Sequence, residues 1–166
     1  MSAQEHTAER EAAVAWREEL RAAGRRVVFT NGCFDLLHAG HVAYLEWARA
    51  QGDVLILGLN SDASVRGLKG ASRPLVAFED RRRLLAALRM VDRVVGFSES
   101  TPEMLLAALR PDIHVKSAQY RLDELPERAV VEAGGGEVRL APHLAGLSTT
   151  DLVARILRQA TLPEAC

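Results

Sequence analysis

Residues 27–41, Val27-Val-Phe-Thr-Asn-Gly-Cys-Phe-Asp-Leu-Leu-His-Ala-Gly-His41, join an apolar run to a helical repeat through a short glycine-containing corner. Val27 to Thr30 is β-branched and aromatic, as a buried strand is. Asn31-Gly32 breaks the run. Beyond Gly40, Val42, Leu45 and Ala48 recur at helical spacing, which puts His38 and His41 at or just before the first turn of a helix. That turn presents unpaired backbone N–H groups and a partial positive charge, a setting that suits a phosphate.

The rest of the chain repeats the same alternation. Thr7 to Ala23 forms an amphipathic helix with Ala12, Trp16, Leu20 and Ala23 on one face and Gly24 placed to end it. Val54 to Leu59 is apolar without alternation, which suits a strand covered on both faces, and Asn60-Ser-Asp62 follows at its carboxyl end. Gly67 to Ala77 reads as an irregular cationic loop carrying Lys69 and Arg73. A helix begins at Phe78, with Glu79 and Asp80 in its first turn and Leu84, Leu85 and Leu88 facing inward. Val94–Phe97, Ile113–Val115 and Glu137–Leu140 are three more strands; Thr101-Pro102-Glu103 starts a helix that stops near Arg110-Pro111. Ser148-Thr-Thr-Asp151 is a capping-box pattern opening a last helix whose inner face is Leu152, Val153, Ile156 and Leu157. Strands and helices in this order predict an α/β fold: a doubly wound, mainly parallel five-stranded sheet with right-handed crossovers. Residues 1–166 read as one domain, with residues 1–24 as its N-terminal packing helix.

Composition narrows the function classes. The 166 residues carry 21 basic and 22 acidic side chains, so the net charge of -1 offers no argument for nucleic acid or an anionic membrane, and any phosphate site is local. No apolar run approaches the ~20 residues of a membrane span, and no basic, apolar leader opens the chain. A cytoplasmic location is expected. Cys33 and Cys166 make a poor disulfide pair, one at the corner and one at the last residue.

Several residues have both a chemical and a plain structural reading. His38 and His41 can donate to phosphate oxygens as charge builds during attack at phosphorus, or one caps the helix while the other packs. A zinc site from Cys33, His38 and His41 lacks a fourth ligand at a useful spacing. Lys69 and Arg73 either balance phosphate charge or are solvated. Ser148 and Thr149 cap the last helix, and the same hydroxyls and amides form an anion site. Asp35 can arrange a magnesium ion or orient its own loop. Asn60 and Asp62 touch substrate or order a turn. Arg89 is a ligand contact or a helix-end dipole partner. His6, His114 and His143 have no convergent partners.

Thr30-Asn-Gly-Cys-Phe-Asp-Leu-Leu-His-Ala-Gly-His41, with Asn60-Ser-Asp62, Lys69-Gly70, Arg73-Pro74, Val91-Asp92 and Leu147-Ser-Thr-Thr150, resembles the cytidylyltransferase-like nucleotidyltransferases. Within them the likeness is greatest to the heptose 1-phosphate adenylyltransferases. The resemblance runs from about Gly24 to Ile156. It implies a Rossmann-like nucleotidyltransferase fold and transfer of AMP from ATP, accompanied by Mg2+, to a small sugar phosphate. His38, His41 and Lys69 would be catalytic. Thr30, Asn31, Gly32, Cys33, Phe34, Gly40, Arg89, Ser148, Thr149 and Thr150 would bind the nucleotide. Asp35, Asn60, Asp62, Arg73 and Lys116 would bind the acceptor. The metal would ride on the triphosphate with no protein ligand, and the family likeness implies a homodimer. The chain departs from the family at Lys116-Ser-Ala-Gln-Tyr120, where Lys-Gly-Gly-Asp-Tyr is usual. That leaves open two further readings: cytidylyl transfer from CTP to glycerol phosphate or a related polyol phosphate, and a nucleotide-binding module without catalysis.

Overall fold

The computed structural model describes residues 3–142 and 149–160. Its strands are β1 (Val27–Gly32), β2 (Val54–Asn60), β3 (Arg93–Phe97), β4 (Ile113–Ser117) and β5 (Glu137–Ala141). They form one sheet in the order β3-β2-β1-β4-β5, and every neighbouring pair is parallel. The helices are α1 (Ala3–Ala22), α2 (Ala39–Arg49), α3 (Asp62–Lys69), α4 (Phe78–Ala86), α5 (Glu103–Leu109), α6 (Arg128–Ala133) and α7 (Thr149–Ala160). Hydrophobic side chains of β2 divide by parity. Leu55, Leu57 and Leu59 meet Leu45 of α2 and Phe78 and Leu85 of α4. Val54 and Ile56 meet Ala13 of α1, Leu105, Leu106 and Leu109 of α5 and Val131 of α6. All seven residues of β2 are buried, which is why its sequence shows no alternation.

Three aspartates pin the amino-terminal edge of the sheet. Asp53 Oδ2 accepts from Arg26 N at 2.8 Å, Asp92 Oδ2 from Leu55 N at 2.7 Å and Asp112 Oδ2 from Val27 N at 2.6 Å. The opposite, carboxyl edge is left for the loops. Between β1 and β4 the chain direction of winding reverses, and the crevice outside the ends of those two strands is where an open α/β sheet receives a ligand.

The structure departs from the sequence reading at several points, among them α6, for which the sequence reading had no helix, and α1, which starts at Ala3 ahead of Thr7. The expected loop Gly67–Ala77 starts inside a helix: Ser61 Oγ caps α3 by accepting from Ser64 N, and α3 continues through Lys69 to Gly70 at φ 95°. β1 runs through Gly32, and the positive backbone angle falls on Phe34 at φ 46°. The glycine serves the ring beside it, since a Cβ at Gly32 would lie 3.0 Å from Phe34 Cε2. Leu84 is half exposed because α4 turns Phe78, Arg81 and Leu85 to the core instead. On α7, Leu152 and Val153 are partly covered while Ile156 and Leu157 are exposed, so the apolar face is used only in its first turns.

Candidate active site

The carboxyl edge of the sheet opens into a cavity of about 1230 Å³. A single small-molecule site occupies roughly 300–1,000 Å³, and this cavity lies above that range. The loop after β1 and the start of α2 supply one wall, the end of α3 and Arg73 a second, the turn after β4 a third, and Thr149 and Thr150 of α7 close it.

His38 is the N-cap of α2. Its extended backbone (φ -145°, ψ 171°) leaves the helix, and its Nδ1 accepts from Gly40 N at 3.1 Å. Nδ1 is therefore unprotonated in the neutral ring, and Nε2 carries the proton that can be donated to a ligand. The His41 ring lies 4.0 Å from that of His38, centroid to centroid, and 5.3 Å from that of Phe34. Its Nδ1 is buried without a partner. Burial and then the neighbouring His38 pull the His41 pKa down to about 4, and burial lowers that of His38. At neutral pH the pair is uncharged, and two imidazoles this close become cations together only beside an anion.

Three cations line the cavity, and two are already matched. Arg73 Nη1 donates to Asp35 Oδ2 at 2.7 Å. Lys116 Nζ sits 2.8 Å from Glu127 Oε1 and 4.9 Å from the ring centre of Tyr120. Lys69, at the last position of α3, is exposed and has no acid partner among the described residues. Asp35 also accepts from the Leu75 and Val76 amides at 2.7 and 2.9 Å. Burial raises its pKa, but the Arg73 bond and the two amides outweigh this and hold the carboxyl below its ordinary range. Its oxygens are occupied in holding the segment after α3. Among the described residues no three of His, Cys, Asp and Glu converge to hold a metal, so Cys33, His38 and His41 do not form the zinc site that was one reading of the sequence.

Other expected residues divide clearly. Asn31, Gly32, Cys33, Phe34, Gly40, Asn60, Thr149 and Thr150 line the cavity. The Asn60 amide is spent on Ser64 Oγ at 2.9 Å, which orders the turn. Three expected ligand contacts do not line the cavity. Thr30 is fully buried, its hydroxyl 2.6 Å from Tyr44 Oη and 3.0 Å from the Val115 carbonyl, because strand parity turns it toward α2. Asp62 accepts from Arg81 Nη2 at 2.7 Å. Arg89 precedes β3, at the amino-terminal edge of the sheet, where its 88% exposed side chain meets Glu46 at 3.1 Å. Ser148 and His143 lie outside the described residues.

The sequence reading missed the residue that ties the walls together. Arg81 is fully buried and donates to the carbonyls of Cys33 (2.6 Å), Asn60 (3.0 Å) and Val76 (2.9 Å) as well as to Asp62. The signal was its spacing, since it shares the helical face of Phe78 and Leu85. Glu127 was also missed, and no local pattern links it to Lys116.

A family model described as cytidylyltransferase-like matches residues 29–155. The chain belongs to the cytidylyltransferase-like family. It is 55% identical over 138 residues to the bifunctional protein HldE of Geobacter sulfurreducens, covering 83% of this chain and 28% of that protein. With the HldE of Syntrophotalea carbinolica it shares 50% identity over 159 residues, 92% of this chain and 32% of the relative. The chain thus spans under a third of the length of these curated relatives. A crystal structure of the lipopolysaccharide core biosynthesis protein from Thermoplasma volcanium GSS1 superposes with a TM-score of 0.61 at 25% identity, over 72% of this chain and 97% of that one. The match from residue 29 to 155 takes in both histidines, Lys69, the turn after β4 and the start of α7, so the family-matched segment includes the residues that line the cavity.

Proposed function

We propose that this domain transfers AMP from ATP to the phosphate of a small sugar phosphate of the heptose 1-phosphate type. The observation that carries the reading is the close, neutral His38–His41 pair at the entrance of α2, lining a large cavity. Likeness to the HldE proteins and to a protein of lipopolysaccharide core biosynthesis supports a phosphorylated sugar as acceptor.

In this reading an acceptor phosphate oxygen forms a bond to the α-phosphorus as the bond from that phosphorus to the bridging oxygen breaks, and pyrophosphate leaves with the electron pair. His38 Nε2 and His41 donate to oxygens whose charge grows during the transfer. Lys69 meets the charge of the departing pyrophosphate. The amides and hydroxyls of Thr149 and Thr150 add donors at the start of α7, a favourable dipole contribution of typically ~0.3–1 kcal/mol that assists binding. Mg2+ bound to the triphosphate would supply charge neutralisation, while Asp35, engaged with Arg73 and two amides, holds the segment after α3. Glu127 neutralises Lys116, so that end of the cavity suits hydroxyl groups better than phosphate.

The test is pyrophosphate release from the purified protein with heptose 1-phosphate and each of ATP and CTP in competition. Release with ATP is expected, and His41→Ala should slow turnover by about 10²–10³-fold while the nucleotide still binds. Preference for CTP with a polyol phosphate would replace this reading by cytidylyl transfer. No release with any phosphorylated acceptor would leave a module that only binds nucleotide.

A further inference from the structure

His114 is a fully buried histidine in the middle of a parallel sheet, and the reaction proposed above does not use it. It lies on β4 directly beside Phe29 of β1 in the strand register, and the two rings pack at 5.5 Å. Its Nε2 is 3.2 Å from Oδ1 of Asn31, while its Nδ1 is buried without a partner. A neutral imidazole has one N–H, and only Nε2 has an acceptor in reach, so the proton sits there and Asn31 Oδ1 accepts it. Burial, and then the charge of Lys116, keep the ring neutral, with a pKa down to about 3. On the other side of Asn31, a Cβ at Gly58 of β2 would stand 3.2 Å from Asn31 Cβ and 2.7 Å from Phe29 Cζ. The missing side chain at Gly58 lets the Phe29 ring occupy that space and support His114. Asn31 lines the cavity, and its amide nitrogen has no protein partner among the described residues.

We propose that His114 is a positioning residue: by donating to Asn31 Oδ1 it fixes the amide so that Nδ2 presents an N–H to a phosphate oxygen of the bound nucleotide. This rests on the nucleotidyltransferase reading for the identity of the ligand. The bond itself stands on the geometry of β1 and β4.

A double-mutant cycle tests it. His114→Phe keeps an aromatic ring and removes the donor; His114→Leu serves if the phenyl ring does not fit. Either variant should lower kcat by about 10- to 100-fold with a smaller change in KM, as misplacement of a substrate-binding group does. Asn31→Ala should lose as much, and the double variant no more than Asn31→Ala alone. His114→Gln, which can still donate, should recover part of the rate. Losses that multiply, or a wild-type kcat in both His114→Phe and His114→Leu, would overturn the proposal. The side-chain amide resonances of Asn31 separate this from the reaction itself. In the wild type the two protons should be well resolved and shift with ATP·Mg2+, and in His114→Phe they should converge toward the position of a free amide. That behaviour without turnover would fault the assigned reaction. Resonances indifferent to His114→Phe would fault the positioning.

Discussion

Two imidazoles 4.0 Å apart, one with its Nδ1 committed to the Gly40 amide, are set by residue-scale chemistry to be neutral donors. Their burial also leaves a mark on stability. The unfolded chain binds protons at His41 and His114 near pH 6.5, whereas the folded chain resists protonation until about pH 4 and about pH 3. Between those limits the unfolded state holds more protons, so stability is fully present above pH 6.5 and is lost as the pH falls. At about 1.4 kcal/mol per pKa unit, His114 alone accounts for on the order of 3–5 kcal/mol by pH 3. Denaturant midpoints measured from pH 7 to pH 3 should fall for the wild type and fall less steeply for His114→Phe. Parallel curves would show that the imidazole is not held neutral.

The elements that shape the cavity meet at one guanidinium. Arg81 on α4 ties the end of β2, the loop after β1 and the segment ahead of α4 by bonds of 2.6–3.0 Å, and no water-exposed surface of it remains to compensate a loss. Arg81→Met keeps much of the packing but strands three carbonyls and Asp62. Asp62 is a third exposed and can turn to water, but the carbonyls cannot, and leaving buried acceptors unpaired costs about 1–3 kcal/mol, which chemical denaturation should register together with weaker nucleotide binding. Arg89 is the contrast. Exposed at the far edge and matched only to Glu46, it can be changed to Ala with kcat and KM unaltered in the pyrophosphate assay; a raised KM would return it to the nucleotide site. The two arginines show what a sequence discloses. The strands were visible because β-branched and apolar runs are local, and the α2 entrance because glycine and histidine spacing is local. Whether an arginine eight residues earlier or later turns inward depends on which edge of the sheet it reaches, and this follows from strand order. Asp35 carried a local signal for its loop but none for Arg73, its partner 38 residues away. Likewise, the helical reach of α3 through Gly67 depended on the Ser61 cap, which propensity alone did not reveal.

At the scale of the whole molecule, the strand order decides where chemistry can occur. Winding outward from β1 through β2 to β3, and then crossing to β4 and β5, puts the ends of β1 and β4 side by side, bringing Asn31 and Lys116 to one crevice from positions 85 residues apart. The pinning aspartates, including the Asp92 of the family's Val-Asp element, work at the opposite edge, where they set register and leave the ligand edge to the loops. In the proposed function this crevice receives a triphosphate against the paired imidazoles. Nitrogen-15 spectra of the histidine side chains during titration with ATP·Mg2+ test it most directly. The Nε2 signals of both His38 and His41 should shift together and saturably as their pKa values rise beside the phosphates, while those of His114 keep the signature of a neutral ring. Saturable nucleotide binding that leaves His38 and His41 unmoved would contradict it.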